Sequence, residues 1–161
     1  MKTGRKTTIR ISTMILTSVL TILTFISMAM RIADMPMEYV AVANESFSTT
    51  SKFEIDLYSG NADMAQAKET IWISLACNDI EKLTNGHYSY SNQGVNTRKP
   101  FEFYGAFIKD GQKIAVKSGN FDVILNKDQL EIDYKLGLVD GSKLKGRYQG
   151  KCNMADRRNA K

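Results

Sequence analysis

Between Phe121 and Gly150 apolar and polar residues alternate almost without a break, and this period of two constrains the fold more than anything else in the chain. Two turns punctuate it. A three-residue loop Val139-Asp140-Gly141, with Gly141 left-handed, sets Leu138 opposite Ser142, Leu136 opposite Leu144, Tyr134 opposite Gly146 and Ile132 opposite Tyr148. Independently, a four-residue loop Asn126–Gln129 sets Leu125 opposite Leu130, Val123 opposite Ile132 and Phe121 opposite Tyr134. Both turns give the same apolar face on all three strands. A slip of one residue would set apolar side chains against charged ones, so this register is strongly preferred. The other face carries Asp122, Glu131, Asp133, Lys135, Lys145 and Arg147, with Asp133 opposite Arg147.

The same grammar extends upstream. Phe53–Tyr58 alternates strictly, and Ile71–Cys77 places Ile71, Ile73, Leu75 and Cys77 on one face. His87–Tyr90 reads as a short aromatic strand. Phe101–Lys109 and Gln112–Lys117 flank Asp110-Gly111, a two-residue turn that sets Phe107 opposite Ile114 and Gly105 opposite Val116, with Phe101 and Phe103 on the same face. Ala62–Glu69 reads as a short helix or ordered loop, Asn78–Leu83 as a capped helical turn, and Ser91–Pro100 as a loop. The expected fold is all-β, an antiparallel meander of about seven or eight strands with one apolar face to bury. Closing as a small barrel or half-barrel buries that face and removes the exposed edges; a two-sheet β-sandwich is the alternative.

The N-terminal region follows a different logic. Ile11–Met30 carries no charge, four bases precede it and Arg31 follows it. A run of this length reaches about 30 Å as a helix, enough to span hydrocarbon, although its serines and threonines dilute it. Residues 1–30 are therefore expected to be an apolar helix acting as a signal peptide or as a membrane anchor through 11–30. Ser27-Met28-Ala29 and Ala41-Val42-Ala43 both offer small residues at the spacing a signal peptidase reads. The remaining division is a stem or linker over 31–50, a β-domain over 51–152 and a basic polar tail over 153–161. The basic end stays cytoplasmic, which places the β-domain outside the cytoplasm: periplasmic, surface-bound or secreted. Asn44-Glu45-Ser46 matches the N-glycosylation pattern.

Two cysteines, Cys77 and Cys152, stand at the ends of strand-like runs. In an oxidising compartment such a pair is expected to bridge and, by closing a long loop, to contribute about 4 kcal/mol. The net charge of +5 comes largely from the leader. The remainder is nearly balanced, so nucleic acid is not an expected partner. There is one histidine, His87, and no nucleophile elbow, phosphate loop, dinucleotide glycine pattern or His-Glu-x-x-His. No catalytic residue, cofactor or metal is expected.

The aromatic residues offer two binding surfaces. Trp72, Tyr88, Tyr90 and Tyr104 either pack under the Ser91–Pro100 loop or form a candidate outer platform for a glycan or a protein. Phe103 and Tyr134, with Phe101, Phe107, Phe121 and Tyr148, face the interior, which either fills itself or leaves an apolar pocket.

Lys117-Ser118-Gly119-Asn120-Phe121-Asp122-Val123 and Asp140-Gly141-Ser142-Lys143-Leu144-Lys145-Gly146-Arg147-Tyr148-Gln149-Gly150 resemble the small exported β-domains of Bacteroidetes-type envelope proteins. That resemblance implies an extracytoplasmic place and a lipocalin-like barrel; the chain departs from the pattern in lacking a lipidation cysteine after the leader. The functional expectation is an exported envelope binding or accessory module without catalytic activity. Its partners would be the membrane, through the leader, and an envelope protein or glycan. Alternatives are a lipocalin-like carrier of a small apolar ligand and a hydrolase with a site of unfamiliar type.

Overall fold

The alternating segments assemble into one ten-stranded mixed sheet in a computed structural model that describes residues 32–158; the leader, its expected helix and the last three residues lie outside them. Along the chain the strands are β1 (Ile32–Asp34), β2 (Tyr39–Asn44), β3 (Phe53–Ser59), β4 (Glu69–Ala76) and β5 (Gly86–Tyr90). They continue as β6 (Glu102–Lys109), β7 (Gln112–Asn126), β8 (Gln129–Leu138), β9 (Lys143–Lys151) and β10 (Met154–Asp156). Their order across the sheet is β1-β9-β8-β7-β5-β6-β4-β3-β2-β10, with β7 also pairing β6. The hydrogen-bond ladder does not close. Even so, β1 lies on β9 while the chain that follows it enters β2, and β10 leaves β9 to lie on β2. Only two residues separate β9 from β10, so the chain itself links β9, near one end of the sheet order, to β2, near the other.

The C-terminal register is the one the alternation demands. Phe121 faces Tyr134, Val123 faces Ile132 and Leu125 faces Leu130, while Ile132 faces Tyr148, Tyr134 faces Gly146 and Leu136 faces Leu144. Asp133 stands opposite Arg147 on the outer face. At the β6–β7 turn both Asp110 and Gly111 have positive φ, the pair of conformations a two-residue turn of type I′ requires. Phe107 accordingly faces Ile114. Phe53, Ile55, Leu57, Ile71, Ile73, Leu75, Phe103, Phe121, Leu130, Ile132 and Leu138 are fully buried on the inner face. At about 1.5–3 kcal/mol for each side chain withdrawn from water, this face is the main source of stability.

Several expectations are corrected. The sheet is mixed rather than purely antiparallel and has ten strands: β1 and β10 each pair in parallel with a strand distant in sequence, and β5 pairs in parallel with the next strand, β6. The stem expected over 31–50 is instead part of the sheet: β2 pairs with β3 along its whole length, and Met37 and Val42 are in the core. The tail expected from 153 includes β10. The segments Gln112–Lys117 and Phe121–Leu125 are one strand, β7, with a bulge between Val116 and Ser118. Gly105 does not face Val116, because β6 and β7 part beyond Ala106 and Ala115 and β5 is wedged between them. Phe101 falls just before β6 with φ of 66° and is exposed rather than facing inward with Phe103. Asn78–Leu83 forms no helix, and Ala62–Glu69 contributes only a 3-10 turn at Met64–Gln66.

Cys77 and Cys152 are buried free thiols, so the expected bridge is not formed. Cys77 Sγ lies 3.1 Å from the Tyr88 hydroxyl, which donates to the Thr84 carbonyl at 2.6 Å. Burial pushes both thiols above their ordinary pKa, as befits inert core sulfur. Asn44 is 3% exposed, and its amide donates to the Ile80 carbonyl at 2.9 Å while its side-chain oxygen accepts from Ser46 N–H at 3.0 Å. In the folded domain this asparagine closes a loop and is inaccessible as a glycan acceptor.

Candidate functional site

The expected aromatic platform divides in two. Tyr88 is fully buried, its ring 5.5 Å from Phe101. Tyr90 packs edge-on against Phe103 at 5.9 Å. Phe103 and Tyr134 are inner-face residues linked through Phe121, with centroids 6.1 and 6.3 Å apart. The Tyr134 hydroxyl reaches over Gly146 and donates to the Met35 carbonyl at 2.5 Å, pinning the β1–β2 connection. Burial, reinforced by Asp34, raises its phenol pKa well above the usual range. Tyr88, Phe103, Phe121 and Tyr134 are thus core rings, with Tyr90 packed against their edge.

Trp72 and Tyr104 are different. β4 places Trp72 on the outer face, opposite Asp56 on β3 and Ala106 on β6. Tyr104 lies one pleat away, opposite Ser74, and its ring meets Trp72 edge-on at 6.0 Å and 79°. Both stay partly exposed. The Lys113 ammonium lies 4.6 Å from the centre of the Trp72 ring, a cation–π contact that holds the indole in place. Beneath the rings Ser74 and Ala106 are 1% and 0% exposed, so the platform stands on a closed floor.

The Ser91–Pro100 loop makes one wall beside it. Ser91 N–H donates to the Phe103 carbonyl at 2.8 Å and Phe101 N–H to the Ala76 carbonyl at 2.8 Å, which anchors both ends. Inside the loop Thr97 and Arg98 N–H groups both donate to the Gly94 carbonyl, at 3.0 and 3.1 Å. This turn sends Arg98 back to the sheet, where its guanidinium donates to the Ser74 carbonyl and, at 2.9 Å, to the Ser74 hydroxyl. Loop and sheet border an open depression of about 420 Å³ lined by Lys52, Trp72, Ser74, Gln93, Arg98 and Tyr104. A space of that size falls in the range of about 300–1,000 Å³ that small-molecule sites occupy.

The charges around it are unequal. Lys52 is neutralised by Glu45 at 2.6 Å and Glu54 at 2.8 Å. Arg98 has no carboxylate within 4.0 Å among the described residues, and burial pushes its pKa down. Its buried Nε–H has no hydrogen-bond partner among them either. Sequence reasoning passed over Arg98, since nothing local marks it; only the path of the loop brings it to Trp72.

Next to the platform, Asp56 is pushed up to a pKa of about 6 by burial first and then by Glu54 and Glu45, with Arg157 opposing. A carboxyl whose pKa is raised on folding binds a proton more readily in the native state, so the domain loses stability as pH rises from about 4 through 6. Asp56→Asn is expected to match wild type near pH 4 and to exceed it at pH 8 by about 1 kcal/mol, after discounting for solvent screening. Urea unfolding at the two pH values checks this; a difference that does not change with pH would mean that Asp56 titrates normally.

Elsewhere on the outer face His87 Nδ1 lies 2.6 Å from Asp122 Oδ1 across the β5–β7 pair, both side chains about half exposed. No group of three potential metal ligands occurs among the described residues. Comparisons with protein families, with curated proteins and with solved structures found no match to this chain.

Proposed function

We propose that this chain is an exported binding module of the cell envelope, acting through the outer face at Trp72 and Tyr104 and performing no chemistry of its own. The observation that carries the reading is the partly exposed aromatic pair beside a walled depression, on a sheet whose remaining large aromatics are mostly committed to the core. The charged-then-apolar leader supports export. The shape we propose is a curled half-barrel, its seam bridged where β1 and β10 cross between β9 and β2. A carrier function would need an open interior. The fully buried stack Phe103–Phe121–Tyr134 favours a filled one instead.

Two measurements test this reading. The full chain, expressed with its own leader, is expected in membrane, periplasmic or culture fractions; recovery only from cytoplasm would overturn export. Because Trp72 is the only tryptophan, its emission reports this face alone when envelope polysaccharide or protein fractions are added. Trp72→Ala is expected to weaken retention on the bound fraction by about tenfold or more while melting close to wild type. Undiminished retention would move the binding surface elsewhere.

A further inference from the structure

We infer that the depression at Trp72 takes an acidic sugar, a pyranose unit bearing a carboxylate, with Arg98 as the anion-reading group. This rests on the reading of the outer face as a binding surface and gives it a ligand class.

The inference starts from a guanidinium that the fold does not satisfy. Of the five N–H donors of Arg98, two are used by Ser74, one on its carbonyl and one on its hydroxyl. The Nε–H is buried and has no partner among the described residues. A half-buried cation without a carboxylate in contact gives up part of its hydration, and a bound anion would recover some of that cost. The other basic residue on the rim, Lys52, already has two carboxylates of its own. The residues around the depression include no acid. An anion placed there meets a guanidinium with no carboxylate within 4.0 Å among the described residues, each of whose terminal nitrogens keeps one N–H beyond its bond to Ser74.

The rest of the lining selects the body that carries the anion. Trp72 and Tyr104 provide apolar ring surface for the C–H face of a pyranose, and Asn92 and Gln93 on the loop provide amides for its hydroxyls. Aromatic surface, amides and one guanidinium within a single depression fit a ring with hydroxyls and a carboxylate. An acidic peptide strand would instead profit from a free sheet edge, and Trp72 and Tyr104 lie on paired interior strands.

The test titrates the full chain with trigalacturonate, with neutral galactotriose and with an Asp/Glu pentapeptide, following Trp72 emission and calorimetric heat. Trigalacturonate is expected to bind, and to bind more weakly as salt is raised. Arg98→Ala should weaken it by about tenfold to a hundredfold, and Arg98→Lys, which keeps the charge but loses the fork, by an intermediate factor. Lys135→Ala, which removes an equal charge from a distant exposed position on β8, should leave it unchanged. Thermal melting of each variant separates lost binding from lost folding. Equal binding of both sugars with no effect of Arg98→Ala would overturn the inference while leaving the binding face in place. Preference for the pentapeptide would overturn it in favour of a protein partner. If no probe binds while the Trp72→Ala variant still loses the envelope fraction, the sugar assignment fails and the face stands. If Trp72→Ala retains the fraction as well, both readings fail.

Discussion

Phe121→Ala is expected to lower the stability of the domain by about 3–5 kcal/mol, a large part of what a domain of this size has. Phe121 has no exposed surface and sits between Phe103 and Tyr134, with centroids 6.1 and 6.3 Å away. Its partners stand on strands β6 and β8, both held by long ladders, so the walls cannot collapse onto the space left behind. Urea unfolding of wild type and variant measures the loss. The value also separates two functions. In a filled module the full cost appears whatever the purification history. In a carrier the ring would border a ligand, and the cost would fall below about 1.5 kcal/mol once the ligand were stripped from both proteins.

What could be read from the chain and what could not have a common physical cause. The β7–β8–β9 register was legible because two turns fix it locally and because a one-residue slip would bury charges such as Asp133 and Arg147. β2 was not legible: in Tyr39–Asn44 the positions on the outer face are Tyr39, Ala41 and Ala43, none of them charged, so the segment lacks the apolar–polar contrast that marks a half-buried strand. β1 and β10 are three residues each and pair in parallel with strands far away in sequence, where no turn signals the partner. Nor does any local pattern insert β5 between β6 and β7. The site divides in the same way. Alternation put Trp72 and Tyr104 on the outer face, but Tyr88 had the same aromatic character and is buried. The contact between Arg98 and Ser74 depends on a turn at Gly94 and on loop anchors at both ends, all of them tertiary. Charge spacing along the chain therefore carried no sign of it.

The position where β7 changes partner gives the second large effect. Residues 112–115 of β7 pair with β6, residues 120–123 pair with β5, and the bulge and Gly119 lie between. Gly119 has φ of 134°, in a region nearly confined to glycine, and faces Leu136 on β8. A β-carbon there would overlap the carbonyl oxygen of Lys135, a backbone atom that cannot swing aside. Gly119→Ala therefore combines backbone strain with overpacking, each about 1–3 kcal/mol, and is expected to cost about 2–5 kcal/mol in urea unfolding. The loss should be local in origin. Amides of β5 at Tyr88 and Ser89, which depend on the lower half of β7 and on the Phe101 carbonyl, should exchange faster than those of β3 and β4. Because β5 leads directly into the Ser91–Pro100 loop, the same substitution should loosen the wall that carries Arg98 while leaving Trp72 and its floor intact. A cost below about 1 kcal/mol, or uniform acceleration of exchange across the sheet, would mean that the forked pairing of β7 does not govern the placement of that wall.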